Sequence, residues 1–184
     1  MKLNLGCGQN HLTGYINVDK YGSPELLCDL EQFPWPWETG SVDEIVLNHV
    51  LEHLGQSTDT FIGIVKELYR VCRNGSLIRI VVPHPRHDNF INDPTHVRVI
   101  TPSLLELFSK KANLEWKALN AANSTLALYH DVDFQIENTQ WVLAEPYFSE
   151  FSQGRLSQQQ IAEMFNKYNN VVSEIRIDLR AIKP

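Results

Sequence analysis

Long apolar stretches are missing from this chain, and nowhere does an apolar run approach the ~18 residues that a membrane-spanning helix needs. The opening Met1-Lys2-Leu3-Asn4-Leu5-Gly6 also lacks the apolar segment of a secretory signal, so the expectation is a cytoplasmic protein with no membrane span. Cysteine is scarce. Cys7, Cys28 and Cys72 form an odd set with no CxxC spacing, which excludes a disulfide framework and reads as reduced thiols. Positive charge is short as well: 16 Lys plus Arg against 22 Asp plus Glu give a net charge of −6, the wrong sign for tracking phosphates, so no nucleic-acid partner is expected. Repeats and low-complexity linkers are absent. What is present is 184 residues, 43% of them apolar, which points to a single domain over 1–184. A chain of this length buries roughly 70% of its unfolded surface and needs no disulfide or structural metal.

The first half alternates short apolar segments with turns and helices, the pattern of a parallel sheet. Leu3–Leu5, Ile16–Asp19, Leu26–Asp29 and Ile45–Asn48 are expected as strands. Phe61, Val65, Leu68 and Cys72 fall on one face of a helix over Thr58–Cys72, ended by Arg73-Asn74-Gly75. Leu77–Val82 reads as a strand covered on both faces. In the second half Thr101-Pro102 caps a helix, and Ser157 with Gln160 forms a capping box for another. Leu126, Leu128, His130, Val132, Phe134 and Ile136 share one strand parity, as do Ile175, Ile177, Leu179 and Ala181. Residues 144–156 read as irregular. The expected fold is α/β: a Rossmann-like, mostly parallel twisted sheet with flanking helices and an antiparallel C-terminal strand. Residues 1–83 and 84–184 are expected as the two halves of this domain, the first holding the parallel strands whose ends suit a cofactor and the second an acceptor-binding half that also closes the sheet. Oligomeric state is left open, with the C-terminal strand able to pair with a second copy if it lies at the sheet edge.

Gly6-Cys7-Gly8 directly follows the first strand, where missing side chains let a ligand approach the backbone. The dehydrogenase fingerprint fails, because His11 holds the third glycine position and Asp19 comes too early for the ribose-binding acid of that motif. Asp19 and Asp29 nevertheless close the second and third strands, suited to a ribose diol and to an amino donor on a base. Pro34-Trp35-Pro36-Trp37 is expected as a hydrophobic plug, and Cys7 as a small buried apolar group.

Taken in order, LNLGCG (3–8), INVD (16–19), CDL (28–30), FPWPWETGSVDEIVLNHVLEHL (33–54) and KELYRVCRNGSLIRIVVP (66–83) resemble the class I S-adenosylmethionine-dependent methyltransferases of the type 11 kind. The resemblance implies S-adenosyl-L-methionine as cofactor, held by Leu5, Gly6, Cys7 and Gly8 around its methionine part. Asp19 with Lys20 would take the ribose, Asp29 with the Leu30 amide the adenine, and Asn48 and His49 would face the sulfonium. The chain departs from that family between its first two strands, where residues 9–15 leave room for barely one turn of helix.

Methyl transfer to a hydroxyl needs a base, and the segment HPRHDNFINDPTHVR (84–98) concentrates candidates for one. Its DPTHVR portion resembles a subset of these enzymes associated with sugar and polysaccharide modification. His96, His84 or His49 would then act as general base, while Arg86, His87, Asp88 and Arg98 would hold a small-molecule or glycan acceptor. His84, His87, Asp88 and His96 also offer a ligand set that could alternatively hold a divalent metal, but their spacing fits no metal motif and none is assigned. The leading expectation is an O-methyltransferase. The alternatives are an inactive methyltransferase-like binding protein and an N-methyltransferase acting on a small molecule or protein.

Overall fold

The computed structural model describes residues 1–184. Seven strands form one sheet in the order β3-β2-β1-β4-β5-β7-β6. β1 (Lys2–Leu5), β2 (Ile16–Asp19), β3 (Leu26–Leu27), β4 (Val42–Asn48) and β5 (Cys72–Pro83) run parallel to one another. β7 (Val172–Ala181) lies antiparallel between β5 and β6 (Phe134–Leu143). This is the Rossmann-like arrangement expected, closed by two antiparallel strands. β6 occupies the edge, and β7 is paired on both sides, so its alternating pattern reflects a covered face and not a free edge.

Buried apolar residues of both halves share one continuous core, from Leu3 and Leu5 on β1 to Ile175, Ile177 and Leu179 on β7. α1 (Thr58–Val71) turns Phe61, Ile64, Val65 and Leu68 inward, and Ser57 caps it by accepting the Thr60 N–H. Its second device is polar. Glu67 accepts the Trp35 N–H at 2.6 Å and is held by Arg70 at 2.7 Å, while the same guanidinium donates to the carbonyls of Trp35 and Trp37. The two indoles pack edge to face at 5.8 Å and are buried, so the Pro-Trp-Pro-Trp run plugs the core. No helix is long and apolar enough to cross a membrane.

Several boundaries differ from the sequence expectation, each for a local reason. β3 stops at Leu27 because the Asp29 carboxylate accepts the Glu31 N–H at 3.0 Å and turns the chain. β5 begins at Cys72, directly after α1. Its next four residues bulge from the ladder, so that Cys72 faces Val42 but Leu77 already faces Glu44. The expected strand parity over 126–132 gives way to a short helix, α5 (Leu126–His130). There Ala127 is the fully buried residue, its N–H shared between the Leu107 carbonyl and Asn113 Oδ1, and Asp131 ends the turn in the left-handed region. Within 144–156, α6 (Tyr147–Ser152) forms behind Pro146. The remaining helices are α2 (Asp88–Ile91), α3 (Pro102–Glu106), α4 (Lys110–Ala118) and α7 (Gln158–Lys167), the last carrying the expected capping box.

Candidate active site

β1 has β2 on one side and β4 on the other, so the connections leaving its carboxyl end part in opposite directions and open a crevice. A cavity of about 220 Å³ lies there, lined by Gly6, Asp19, Lys20, Cys28, Asp29, Leu30, His49, Val50, His53 and Leu54 among others. A second space beside it is lined by Cys7, Gly8, Asn48 and, again, Gly6 and His49.

The strand-end wall is built from backbone. Gly6 holds φ +65°, and a Cβ there would stand 2.5 Å from Val50 Cγ2, so only glycine fits. Gly8, at φ +51°, has nothing within 4 Å of where a Cβ would point. Its N–H donates to Asp19 Oδ2 at 2.9 Å, and the Tyr21 N–H donates to Oδ1 at 3.0 Å. Two fixed donors thus aim the Asp19 carboxylate at the cavity with lone pairs to spare. The segment between β1 and β2 contains no helix. The buried Asn4 amide bridges Asn17 Oδ1 and the Asn10 carbonyl at 2.8 Å each, while Asn17 Oδ1 also accepts the Leu12 N–H. Side-chain amides therefore do here what a first helix would do elsewhere.

The opposite wall is built from side chains of four segments. His49, at φ +54°, extends the β4–β5 ladder through its N–H to the Val81 carbonyl and projects its ring between two acids. Its Nδ1 lies 3.2 Å from Glu52 Oε1 and its Nε2 3.5 Å from Glu174 Oε1. The hydrogen bond with Glu52 raises the imidazole's pKa above its ordinary value, the charges of both acids adding to it and burial opposing. Behind it, in a 3-10 turn over Leu51–His53, stand the fully buried Glu52 and the cavity-lining His53. The His53 ring meets His96 edge to face at 4.6 Å.

Of the cofactor residues read from sequence, Gly6, Asp19, Lys20, Asp29, Leu30 and His49 share the first cavity, and Cys7, Gly8 and Asn48 the adjoining one. Leu5 is fully buried beneath them. The crossover residues scatter. His84 is 5% exposed, packed against Trp141 at 5.7 Å and Phe165 at 5.3 Å, and burial lowers its pKa to about 4. Its Nδ1 accepts the Arg86 N–H. The Arg86 guanidinium lies over Phe165, and His87 caps α2 by accepting the Asn89 N–H. The Asp88 N–H is held by Asn170 Oδ1. Arg98 stacks on Phe61 and donates to the Gly55 carbonyl, a brace between segments. The alternative metal set His84, His87, Asp88 and His96 is thus not gathered at one point. Sequence reading missed Glu52, Glu174, Tyr21, Val50 and Leu54. The first stood within LEHL without a pattern to mark it, and Glu174 reaches His49 only through the β5–β7 pairing.

No protein-family model matches the chain, and no curated protein matches it by sequence. Solved structures do. A SAM-dependent methyltransferase from Archaeoglobus fulgidus is 17% identical with a TM-score of 0.63, covering 97% of this chain and 85% of that one. A Burkholderia thailandensis 1,6-didemethyltoxoflavin-N1-methyltransferase, solved with bound 1,6-didemethyltoxoflavin and S-adenosylhomocysteine, is 13% identical with a TM-score of 0.53, covering 99% and 71%. The [4+2]-cyclase SpnF is 14% identical with a TM-score of 0.54, covering 100% and 75%. The sheet order, the crevice at β1 and these likenesses agree that the chain has the class I S-adenosylmethionine-dependent methyltransferase fold.

Proposed function

We propose that the chain is an S-adenosylmethionine-dependent methyltransferase acting on a hydroxylated acceptor, a sugar or glycan by the resemblance of its DPTHVR segment. The observation that carries this reading is the single cavity shared by Gly6, Asp19, Asp29 and His49, four residues from four strand ends. Its donor set fits the cofactor. Asp19 offers aimed lone pairs to a vicinal diol, Asp29 keeps an oxygen free beside the apolar walls of Leu30 and Leu54, and the Gly6–Gly8 backbone leaves room for a close approach. When bound, the cofactor supplies an electrophilic methyl group on a sulfonium.

The chain's own residues then orient the acceptor and remove its proton. His49 is the one of the three proposed bases that lines the cavity: Glu52 fixes its ring through Nδ1, Nε2 takes the acceptor's proton in place of its looser 3.5 Å contact with Glu174, and both carboxylates stabilise the imidazolium that forms. His84 supports the far side through packing, and His96 stands behind His53. The fold also carries the cyclase named above, so the reaction rests on this site and not on the architecture.

Calorimetric titration of S-adenosylhomocysteine into the wild type and Asp19→Ala tests the cofactor half. The variant is expected to lose binding by about 100-fold, since hydrogen bonds to a charged group contribute ~1.5–3 kcal/mol each. Equal binding by both proteins rejects the assignment. A labelled-methyl screen over sugars tests the acceptor half, and tight binding with no transfer to any hydroxyl compound moves the chain to a binding role.

A further inference from the structure

Glu52 is completely buried, and its Oε2 is the one buried side-chain oxygen or nitrogen in the chain without a hydrogen-bond partner. An unpartnered carboxylate oxygen in such a place costs several kcal/mol unless something cationic or protic meets it. One ligand atom each from Glu52, His53 and His96 lie within 4.8 Å of one another. The two imidazoles are already oriented. His96 Nδ1 lies 2.9 Å from the Phe90 carbonyl, which only accepts, so Nδ1 carries the proton and the lone pair is on Nε2. His53 Nδ1 lies 2.9 Å from Thr95 Oγ1, whose own hydrogen goes to Asp93 Oδ1 at 2.5 Å. That hydroxyl therefore accepts, and His53 also holds its proton on Nδ1 and its lone pair on Nε2. A carbonyl or a carboxylate-linked hydroxyl behind each imidazole is the outer shell that metal-binding histidines have.

We infer that Glu52, His53 and His96 form a two-histidine, one-carboxylate site for a divalent transition metal such as Zn²⁺, Fe²⁺ or Co²⁺ at the rim of the cavity. Two ligand atoms bound to one such ion at ~2.1 Å stand at most about 4.2 Å apart, so an ion would close the cluster by a few tenths of an ångström. The frame for this exists: the Glu52 carbonyl accepts the N–H groups of both Val97 and Arg98, locking the 3-10 turn to the segment that carries His96. Asp93, whose Oδ2 lies 3.8 Å from His96 Nε2, joins Glu52 in balancing the charge. Three protein ligands leave open positions. Because His53 also lines the cavity, an acceptor hydroxyl oxygen is the natural occupant, and its proton would then leave more easily. That last role rests on the proposed methyltransferase reading, whereas the metal site does not.

The test is titration of the full chain, freed of metal by chelation, with Co²⁺, followed by visible absorption and repeated with Zn²⁺ in competition. Saturation at one equivalent is expected, with His53→Ala and His96→Ala each weakening binding more than about 100-fold. Thr95→Val, an exposed change that removes only the hydroxyl orienting His53, should weaken it about tenfold and keeps the test open if a histidine variant misfolds. Absence of saturable binding, or titrations that these three changes leave unaltered, overturns the site. Asp19→Ala must retain Co²⁺. Co²⁺ binding by a wild type that does not bind S-adenosylhomocysteine supports the metal site while rejecting the cofactor reading.

Discussion

The two walls of the cavity are made of different material. On the Gly6–Asp19 side the ligand-facing groups are backbone, or a carboxylate pinned by backbone N–H groups, and each residue sits at or just past the end of its own strand. On the His49–Glu52–His53 side the groups are side chains, drawn from the end of β4, the 3-10 turn behind it, the 93–98 segment and β7. A backbone wall presents fixed donors whose positions follow from the fold, so it suits an invariant ligand. A side-chain wall is set by packing over long sequence distances and can be re-specified without disturbing the sheet.

Gly6→Ala probes this difference most severely. Its Cβ would meet two Val50 methyl groups at 2.5 and 2.7 Å while holding φ +65°. Overpacking and left-handed strain together predict a loss of about 3 to 4 kcal/mol in denaturant-measured stability. Gly8→Ala shares the positive φ but meets nothing, so it should cost about 1 kcal/mol and act chiefly on S-adenosylhomocysteine affinity. If the two alanines destabilise equally, the claim that the strand-end wall is sterically fixed fails.

The same division explains what was legible beforehand. Gly6, Gly8, Asp19 and Asp29 could be placed because position after a strand is a local property, and turn chemistry is written in consecutive residues. His84 and Arg98 have the right chemistry in the right segment, yet three-dimensional packing assigns them to an aromatic cluster and a backbone brace. Nothing near either residue announces Phe165 or Gly55 as its partner. Glu174 illustrates the converse, for it reads as the polar member of an alternating strand and becomes a site residue only once β7 pairs with β5 opposite Pro83. The α5 helix was missed because five residues of alternating apolarity fit a strand as readily as one helical turn, and the deciding contacts of Ala127 come from Leu107 and Asn113.

His84 supplies the next test, from the second half of the chain. Burial among Trp141 and Phe165 lowers its pKa to about 4 from an unfolded value near 6.5. Between those values the unfolded chain binds more protons than the folded one, so stability rises with pH across this window and is lost as pH falls through it. At ~1.4 kcal/mol per unit the contribution is at most about 3.5 kcal/mol. His84→Asn keeps an acceptor for the Arg86 N–H and removes the titration, so its urea-measured stability should vary less than the wild type's from pH 6.5 to 4. Parallel curves for the two proteins would return His84 to a solvated position and reopen its use as a base.

The smallest expected effect lies with the three thiols, two on the strand-end wall and one in the core. Cys72 is fully buried with its pKa pushed up to about 12, and Cys7 is 4% exposed, its pKa raised by burial and by the charge of Asp19. Cys28 is half-buried and lines the cavity beside Asp29, its pKa also raised, first by burial. Thiolate is the reactive form, so all three should alkylate slowly near neutral pH, with Cys28 the first to react because it lines the cavity and is the least buried of the three. S-adenosylhomocysteine should slow iodoacetamide labelling of Cys28 about tenfold, read by peptide mass spectrometry, with Cys72 unlabelled throughout. Co²⁺ held at Glu52, His53 and His96 should leave that rate unchanged, since its ligands belong to the opposite wall. Protection of Cys28 by the metal and not by the nucleoside would reverse the assignment of the two walls.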